Sequence, residues 1–308
     1  MANQTYPGSA TSVVTTANAA TFIPELWSDE IIAAYKQNLV MANLVSKMSF
    51  KGKKGDTLHI PKPTRGSAIV KAAATAVTIQ QTANTEVLLV IDKHYEYSRM
   101  IEDITEAQAL SSLRKFYTGD AGYALAKQVD TDLLQLGRDS QGGDGTIAYN
   151  KAVIGGDGST LYTGGNESAI TDAGIRKVIQ TLDDADVPMD GRVLVLPPVA
   201  RNVMMGLARF TEQAFVGEVG GGNTIRNGQI GNVYGVMVYV STNCETATGD
   251  ARIGMMFHKD AFVLAEQLGV RSQTQYKQEF LGTLFTSDML YGVKELRDEA
   301  AVAIAMAA

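Results

Sequence analysis

Ser67-Ala68-Ile69-Val70-Lys71-Ala72-Ala73-Ala74-Thr75-Ala76 is the stretch on which the fold turns. Its residues are small or β-branched, so it has little apolar surface to bury. It lies inside a tract from Lys51 to Ile91 whose other clear pieces are strand-like: Thr57-Leu58-His59-Ile60 and Val87-Leu88-Leu89-Val90-Ile91. Pro61 and Pro63 exclude a central helix. Loops beyond about 12–15 residues are uncommon inside compact domains, and roughly forty residues without a core of their own are usually functional or disordered. Ile69, Val70, Val77, Thr78 and Ile79 favour an extended hairpin over disorder, because β-branched side chains suit pleated backbone.

Working outward, the next segment is the longest helix in the sequence, Asp103 to Arg138. Asp103 followed by Glu106 resembles a capping box. Leu110, Leu113, Phe116, Tyr117, Ala121, Ala124, Leu125, Val129, Leu133 and Leu136 make one apolar stripe. At 1.5 Å per residue the rod would be about 50 Å long. Gly119 and Gly122 weaken it by up to about 1 kcal/mol each, so a kink is expected there. Upstream, residues 1–20 are rich in Ser, Thr, Ala and Asn, with no charged side chain before Glu25. They read as a frayed terminus or as an arm ordering on a neighbour. Pro24 opens a helix from Glu25 to Asn38, with Leu26, Ile31, Ala34 and Tyr35 near helical spacing and Trp27 as a packing residue.

Downstream, residues 141–165 form a glycine-rich loop. Thr171 caps a helix carrying Ile175, Val178, Ile179 and Leu182 on one face until Pro188. Arg192-Val193-Leu194-Val195-Leu196 is a continuous apolar run, hence a strand buried on both faces. Pro197-Pro198 opens a short helix through Val199, Val203, Met204 and Leu207. A glycine-rich stretch, Gly217 to Gly231, precedes the alternating strand Val236, Val238, Val240. Strand-like pieces follow from Ile253 to Leu264 and from Ala300 to Met306. The class is α+β.

The 308 residues suffice for one large or two medium domains, and 45% apolar with 19% charged residues describes a globular chain. A net charge of −6 gives no reason to expect a nucleic-acid groove, though it permits a wall facing DNA. Cys244 is the only cysteine, which suits a reducing compartment. Met1-Ala2-Asn3-Gln4 lacks the start of a secretory signal, and no apolar run reaches the roughly 18–20 residues of a membrane span. The expectation is a soluble cytoplasmic product.

Constellations for chemistry fail one after another. His59, His94 and His258 lie on separate strand-like segments, with no second ligand at zinc spacing. Cys244 beside Asn243 reads as a partly buried side chain in a turn. Gly52-Lys53-Lys54-Gly55-Asp56-Thr57 lacks phosphate-loop spacing and leads into a strand and Pro61, not a helix. Gly217 to Gly222 lacks the dinucleotide fingerprint. Gly155-Gly156-Asp157-Gly158-Ser159 lacks the glutamate that closes a calcium loop. Asp183-Asp184, near a helix end, reads as a solvated face. No catalytic residue, cofactor or metal site is assigned.

In their order along the chain, several segments resemble the tailed-bacteriophage major capsid protein family, with its Hong Kong ninety-seven fold. The first group is Phe22-Ile23-Pro24-Glu25-Leu26-Trp27-Ser28-Asp29-Glu30-Ile31, Asn43-Leu44-Val45, and Gly55-Asp56-Thr57-Leu58-His59-Ile60-Pro61. The second is Leu89-Val90-Ile91-Asp92-Lys93 feeding the helix that ends Ala124-Leu125-Ala126-Lys127-Gln128-Val129-Asp130. The third joins Val193-Leu194-Val195-Leu196-Pro197-Pro198, Ile230-Gly231-Asn232-Val233-Tyr234-Gly235-Val236 and Phe257-His258-Lys259-Asp260-Ala261. Tyr291-Gly292-Val293-Lys294 and Ala300-Ala301-Val302-Ala303-Ile304 look like the closing strand. The likeness spans residues 20–308.

The resemblance implies an N-terminal arm and helix at 1–50 and an extended β-hairpin loop at 51–90. It implies a peripheral domain at 91–164, with a spine helix at 103–138, and an axial domain at 165–255. Residues 256–308 would return to the peripheral domain and place the last strand in the axial sheet. It also implies pentamers and hexamers of an icosahedral phage head around double-stranded DNA, contacted without sequence specificity. Arg65, Ile69, Val70, Lys71, Val77 and Ile79 would then meet the neighbouring subunit. A hairpin without a core is stabilised by such a partner, and the overlap repeated around a ring closes it. With a helix starting at Glu25, a separate scaffolding protein is expected, along with a portal, and assembly would occur in the host cytoplasm. Some family members crosslink a loop lysine to an asparagine. Lys62 and Lys71 are available, but no acidic catalyst is evident beside them, so crosslinking is not expected.

Three rivals remain at this stage. An encapsulin-like compartment shares the fold and would hold a cargo enzyme. A hydrolase using a serine, His94 and Glu96 would need a compact monomer and a convergent pocket. A tail or adhesin protein would show repeats, and none is seen.

Overall fold

The computed structural model describes residues 40–52, 54–63, 66–80, 84–103, 113–138, 140, 149, 151–207 and 231–308. The expected helix at Glu25–Asn38, Trp27, Glu106, Arg65 and most of the glycine-rich stretch Gly217 to Gly231 lie outside them.

The largest sheet among these residues has six strands. In spatial order they are β5 (Val153–Ile154), β12 (Ala301–Met306), β9 (Arg252–His258), β6 (Arg192–Leu196), β8 (Val236–Val240) and β7 (Asn232–Val233). Every residue of β6 and β12 is buried, as their unbroken apolar runs require. Successive side chains point to opposite faces, so β6 serves two cores. Leu194 and Leu196 pack with Ile175, Val178 and Leu182 of α3 (Asp172–Asp184) and with Ala200 and Met204 of α4 (Pro198–Met205). Val193 and Val195 pack on the other face with Leu125, Val129 and Leu133 of α2 (Leu113–Gln135). β5 adds a strand inside the expected glycine-rich loop by pairing parallel to β12.

Helix α3 starts where the sequence says it should. Thr171 is extended, and its hydroxyl oxygen accepts from the Gly174 amide at 3.1 Å, satisfying one of the helix's free donors. Gly174 itself is required by crowding, since a Cβ there would meet the Gly155 carbonyl oxygen at 2.1 Å. Asp183 and Asp184 are both exposed, as a solvated face requires, and Asp183 has a partner besides water. Its carboxylate accepts from the buried Arg192 guanidinium at 2.7 Å. The same guanidinium donates to the carbonyls of Pro188 and Val187, so the buried charge at the head of β6 has both a counter-charge and hydrogen-bond partners.

The second sheet has the order β1 (Ser46–Ser49), β10 (Phe262–Lys277), β11 (Gly282–Glu295) and β4 (Lys93–Glu102). The strand-like pieces expected from Ile253 to Leu264 fall in two strands of two different sheets. A 3₁₀ turn at Lys259–Ala261 separates them, capped by the His258 ring nitrogen accepting from the Asp260 amide. Tyr291 and Met289 of β11 join the core under α2. α2 passes through Gly119 and Gly122 without a break in the described helix and ends in a 3₁₀ turn at Leu136–Arg138. Its 23 residues span about 35 Å. Residues 104–112, in the first part of the expected rod, lie outside the described residues. Ala121, Leu125, Val129 and Leu133, one helical turn apart, are its buried stripe.

Two carboxylates on the same helix are buried as well. Asp130 accepts from the amides of Val40 and Met41, at 3.0 and 2.8 Å, and from the Asn243 side chain at 2.8 Å. It thereby ties the start of α1 (Met41–Leu44) to α2. Asp132 accepts from the Tyr291 hydroxyl at 2.7 Å and from Gln128 at 2.9 Å, and pairs with Lys93 at 3.0 Å. Such partners offset the cost of taking a charge out of water.

Candidate assembly surfaces

A third, two-stranded sheet projects from this body. β2 (Thr57–Pro63) pairs antiparallel with β3 (Asn84–Val90), Thr57 opposite Val90 and Pro63 opposite Asn84. The root is firmly held. Leu89 and Ile91 are buried against Val263 and Ala265 of β10. The Ile91 amide donates to the Asp56 carbonyl at 2.7 Å, and Gln267 donates to the Gly55 carbonyl at 3.0 Å. The chain crosses β11 so closely that a Cβ on Gly292 would meet the Val90 carbonyl oxygen at 2.4 Å; only glycine fits. A cleft of about 700 Å³ separates Ile60, Pro61 and Val87 of the hairpin from Pro188, His258 and Leu296 of the body.

Beyond Pro63 and Asn84 the ladder ends. Residues 66–80 belong to no strand and are exposed throughout. The chain reverses at Ala72–Thr75, where the Thr75 hydroxyl donates to the Ala72 carbonyl at 2.7 Å and Ala74 has φ 59°. One clasp joins the two arms: the Gln80 side chain accepts from the Ser67 amide at 3.1 Å and donates to the Ser67 carbonyl. Ile69 is 53% exposed, Val70 96%, Val77 71% and Ile79 88%. Lys71 is exposed too. The structure thus brings five of the six sequence-selected residues together on one projecting tip.

A second exposed apolar tip was missed in the sequence. Phe280 and Leu281 cap the hairpin between β10 and β11, with Leu281 left-handed at φ 43°. The distal part of β10, Arg271-Ser272-Gln273-Thr274-Gln275, has no apolar alternation, so nothing in the pattern marks it as a strand. Neighbours hold it instead. Arg271 donates to both Asp288 oxygens, at 2.7 and 2.8 Å, and His94 meets the same carboxylate at 3.0 Å. Arg271, then His94, holds the Asp288 carboxyl down at about 2.

The other chemistry-bearing side chains are structural. His59 meets Glu86 across the hairpin at 2.9 Å, and His258 meets the Asp190 carbonyl at 2.9 Å. Cys244 is buried, deeper than the sequence reading placed it, and burial pushes its thiol up to about 12. Burial, and then its bond to Asp132, raises the Tyr291 phenol above its ordinary value. Among the described residues no helix is long and apolar enough to cross a membrane.

Two packed sheets, a long helix laid between them and a rooted, projecting hairpin make up the Hong Kong ninety-seven type of phage capsid fold. A chain from Mycobacterium phage Che8 superposes with a TM-score of 0.74 at 25% identity, over 92% of this chain and 97% of that one. The capsid of cyanophage P-SCSP1u gives 0.76 at 16% identity, over 99% of both chains. The mature capsid of bacteriophage PhiM1 gives 0.70 at 13% identity, over 92% of both. No curated protein sequence matches the chain. The chain belongs to the phage capsid protein family, which it matches over residues 95–304. It is a tailed-phage major capsid protein, a structural subunit of the virion shell. The family is one of phage capsid proteins and the second and third structures are phage capsids, which does not favour the encapsulin-like alternative.

Proposed function

We propose that this capsid subunit assembles as pentamers and hexamers of an icosahedral head around double-stranded DNA. The loop of residues 51–90 from each copy would interlock with the next. The observation that carries this reading is the 66–80 tip, where apolar side chains stand more than half exposed with a side-chain clasp behind them. An exposed apolar cluster on a projecting element is a contact surface waiting for its partner. On this reading Arg65, Ile69, Val70, Lys71, Val77 and Ile79 are interface residues.

The same reading assigns residues 1–50 as the arm and 91–164 as the peripheral domain, with its spine at 103–138. It assigns 165–255 as the axial domain and 256–308 as the returning segment. The four-stranded sheet packed on α2 supports a peripheral unit. The burial of β12 between β5 and β9 supports a last strand closing the axial sheet. A separate scaffolding protein and a portal would assist assembly in the host cytoplasm. A net charge of −6 suits a wall that touches packaged DNA without gripping its phosphates. No reaction is assigned to it.

Deletion of Ser67 to Ala76 with a short Gly-Ser bridge tests the reading. The segment contributes no buried side chain. Loop-closure entropy changes by only about 0.6 kcal/mol per doubling of length. Normal melting with elution as small oligomers is the expected result. Unfolding would place the loop in the core, and normal shells would show that it is not the interlock.

A further inference from the structure

Asp130 is the point where three parts of the chain meet. One of its carboxylate oxygens accepts from the Val40 and Met41 amides, at 3.0 and 2.8 Å, and the other from the Asn243 side chain at 2.8 Å. Asp130 is only 1% exposed. Val40 and Met41 are where the described chain begins, Asp130 lies on α2, and Asn243 sits in the connection from β8 to β9 of the six-stranded sheet. A buried carboxylate that loses a donor is left under-satisfied, and hydrogen bonds to a charge are the stronger kind. Each of the three donors therefore helps to keep the carboxylate in place for the other two.

The β8–β9 connection has other fastenings. The Ser241 amide donates to the Leu196 carbonyl at the end of β6, at 3.0 Å. Arg138, in the 3₁₀ turn after α2, donates to Glu245 at 3.0 Å. Neither of these bonds involves Asp130. Cys244 shares a core with Val40 and Met41, so side-chain packing is a rival route between the same two segments.

Resting on the reading of residues 1–50 as an arm and 165–255 as an axial domain, we propose that Asp130 is a relay between them. The root of the arm and the β8–β9 connection open and close as one unit around its carboxylate. An arm drawn off α2 during assembly loosens the axial connection, and an arm held on α2 tightens it. Linkage makes the coupling mutual, so a change at Asn243 must be felt at Val40 and Met41.

Hydrogen–deuterium exchange on the unassembled full chain, read amide by amide, tests the relay. Asn243 is only partly buried, so Asn243→Ala is expected to fold. It leaves Val40 and Met41 their acceptor, yet both amides should exchange about tenfold faster. Asn243→Asp keeps the size of the side chain and sets a second carboxylate against Asp130. The relay requires an equal or larger rise in exchange, whereas packing alone would leave this variant like the parent. Arg138→Ala frees the same connection at another fastening and should leave both amides within about twofold of the parent.

Parent-like exchange at Val40 and Met41 in both Asn243 variants overturns the relay and leaves the shell reading standing, because nothing is assembled in this measurement. A parent-like Asn243→Asp alone assigns the coupling to packing and overturns it too. So does an equal rise in Arg138→Ala, the mark of general softening. In shells, residues 40–44 and 241–244 of the parent should change protection together, and one segment changing without the other also defeats the relay. A parent chain that forms no shells under any condition removes the arm and axial assignments instead, while exchange in the subunit still reports on the shared carboxylate.

Discussion

The ribbon β2–β3 and the ribbon β10–β11 are both antiparallel hairpins, and they are supported in opposite ways. β10–β11 is the longer, with strands of 16 and 14 residues, and it is flanked by β1 on one side and β4 on the other. One face rests on α2 through Tyr291 and Met289. Even its polar distal half stays in register, held by the paired hydroxyls of Ser272 and Ser287 and by Arg271 on Asp288. β2–β3 has seven-residue strands and, among the described residues, no lateral neighbour. An isolated two-stranded ribbon is marginal in water. It persists because Leu89 and Ile91 root it in the body, and past Pro63 even the ladder stops. Length alone does not make a ribbon self-sufficient; lateral pairing and a covered face do.

The largest effect comes from removing the support under the longer ribbon. Leu125→Asp puts an unpaired charge in the core where α2 meets β11 and β6. It should cost about 3–5 kcal/mol or more, and insoluble protein is expected. A soluble, assembling Leu125→Asp variant would mean that this helix face does not carry the sheet.

A smaller effect separates the ribbons by pH. The folded Asp288 carboxyl sits at about 2 against an ordinary 3.8, held down by Arg271 and then His94. A depressed carboxylate contributes stability that is present above the ordinary value and lost as pH falls towards the folded one. Melting temperature should therefore drop more steeply on acidification from 3.8 to about 2 in the parent than in Asp288→Asn. Equal acid slopes would show that the ion network adds nothing to the longer ribbon.

The smallest change belongs to the unsupported tip. Gln80→Ala removes the clasp on Ser67, at an exposed site away from any core, so stability should stay within about 0.5 kcal/mol. Limited proteolysis of the unassembled subunit should nonetheless cut residues 66–80 faster. A clear fall in melting temperature would reveal that the tip is coupled to the body after all.

Periodicity made much of this architecture legible. The cap at Thr171, the stripe of α3, the doubly buried β6, the Pro198 helix and the alternation of β8 all lie where local pattern places them. In each, one face or both must leave water, and the apolar spacing records which. The projecting tip was legible for the inverse reason, as a long tract with nothing to bury. β4 was read only as a strand-like segment around His94, and the distal part of β10 was missed because its side chains are polar. Its pairing is enforced by β11, not by its own pattern. The buried carboxylates Asp130 and Asp132 were missed as well, since on a helix an acidic residue ordinarily reads as solvated.

By itself the sequence determined the class of the protein, the helices with clean stripes, the buried strands, and the exposed hairpin with its candidate contact residues. The helices, strands and hairpin follow from burial periodicity, a local property of the polypeptide, and the class follows from the family resemblance carried by the order of segments. Only the tertiary structure decided that β9 and β10 part into different sheets at Lys259–Ala261. The same holds for Asp130 and Asp132 binding α2 to its surroundings, and for Gly292 letting the hairpin root pass over β11. The physical reason is shared: each depends on which distant residue supplies a hydrogen bond, a counter-charge or clearance.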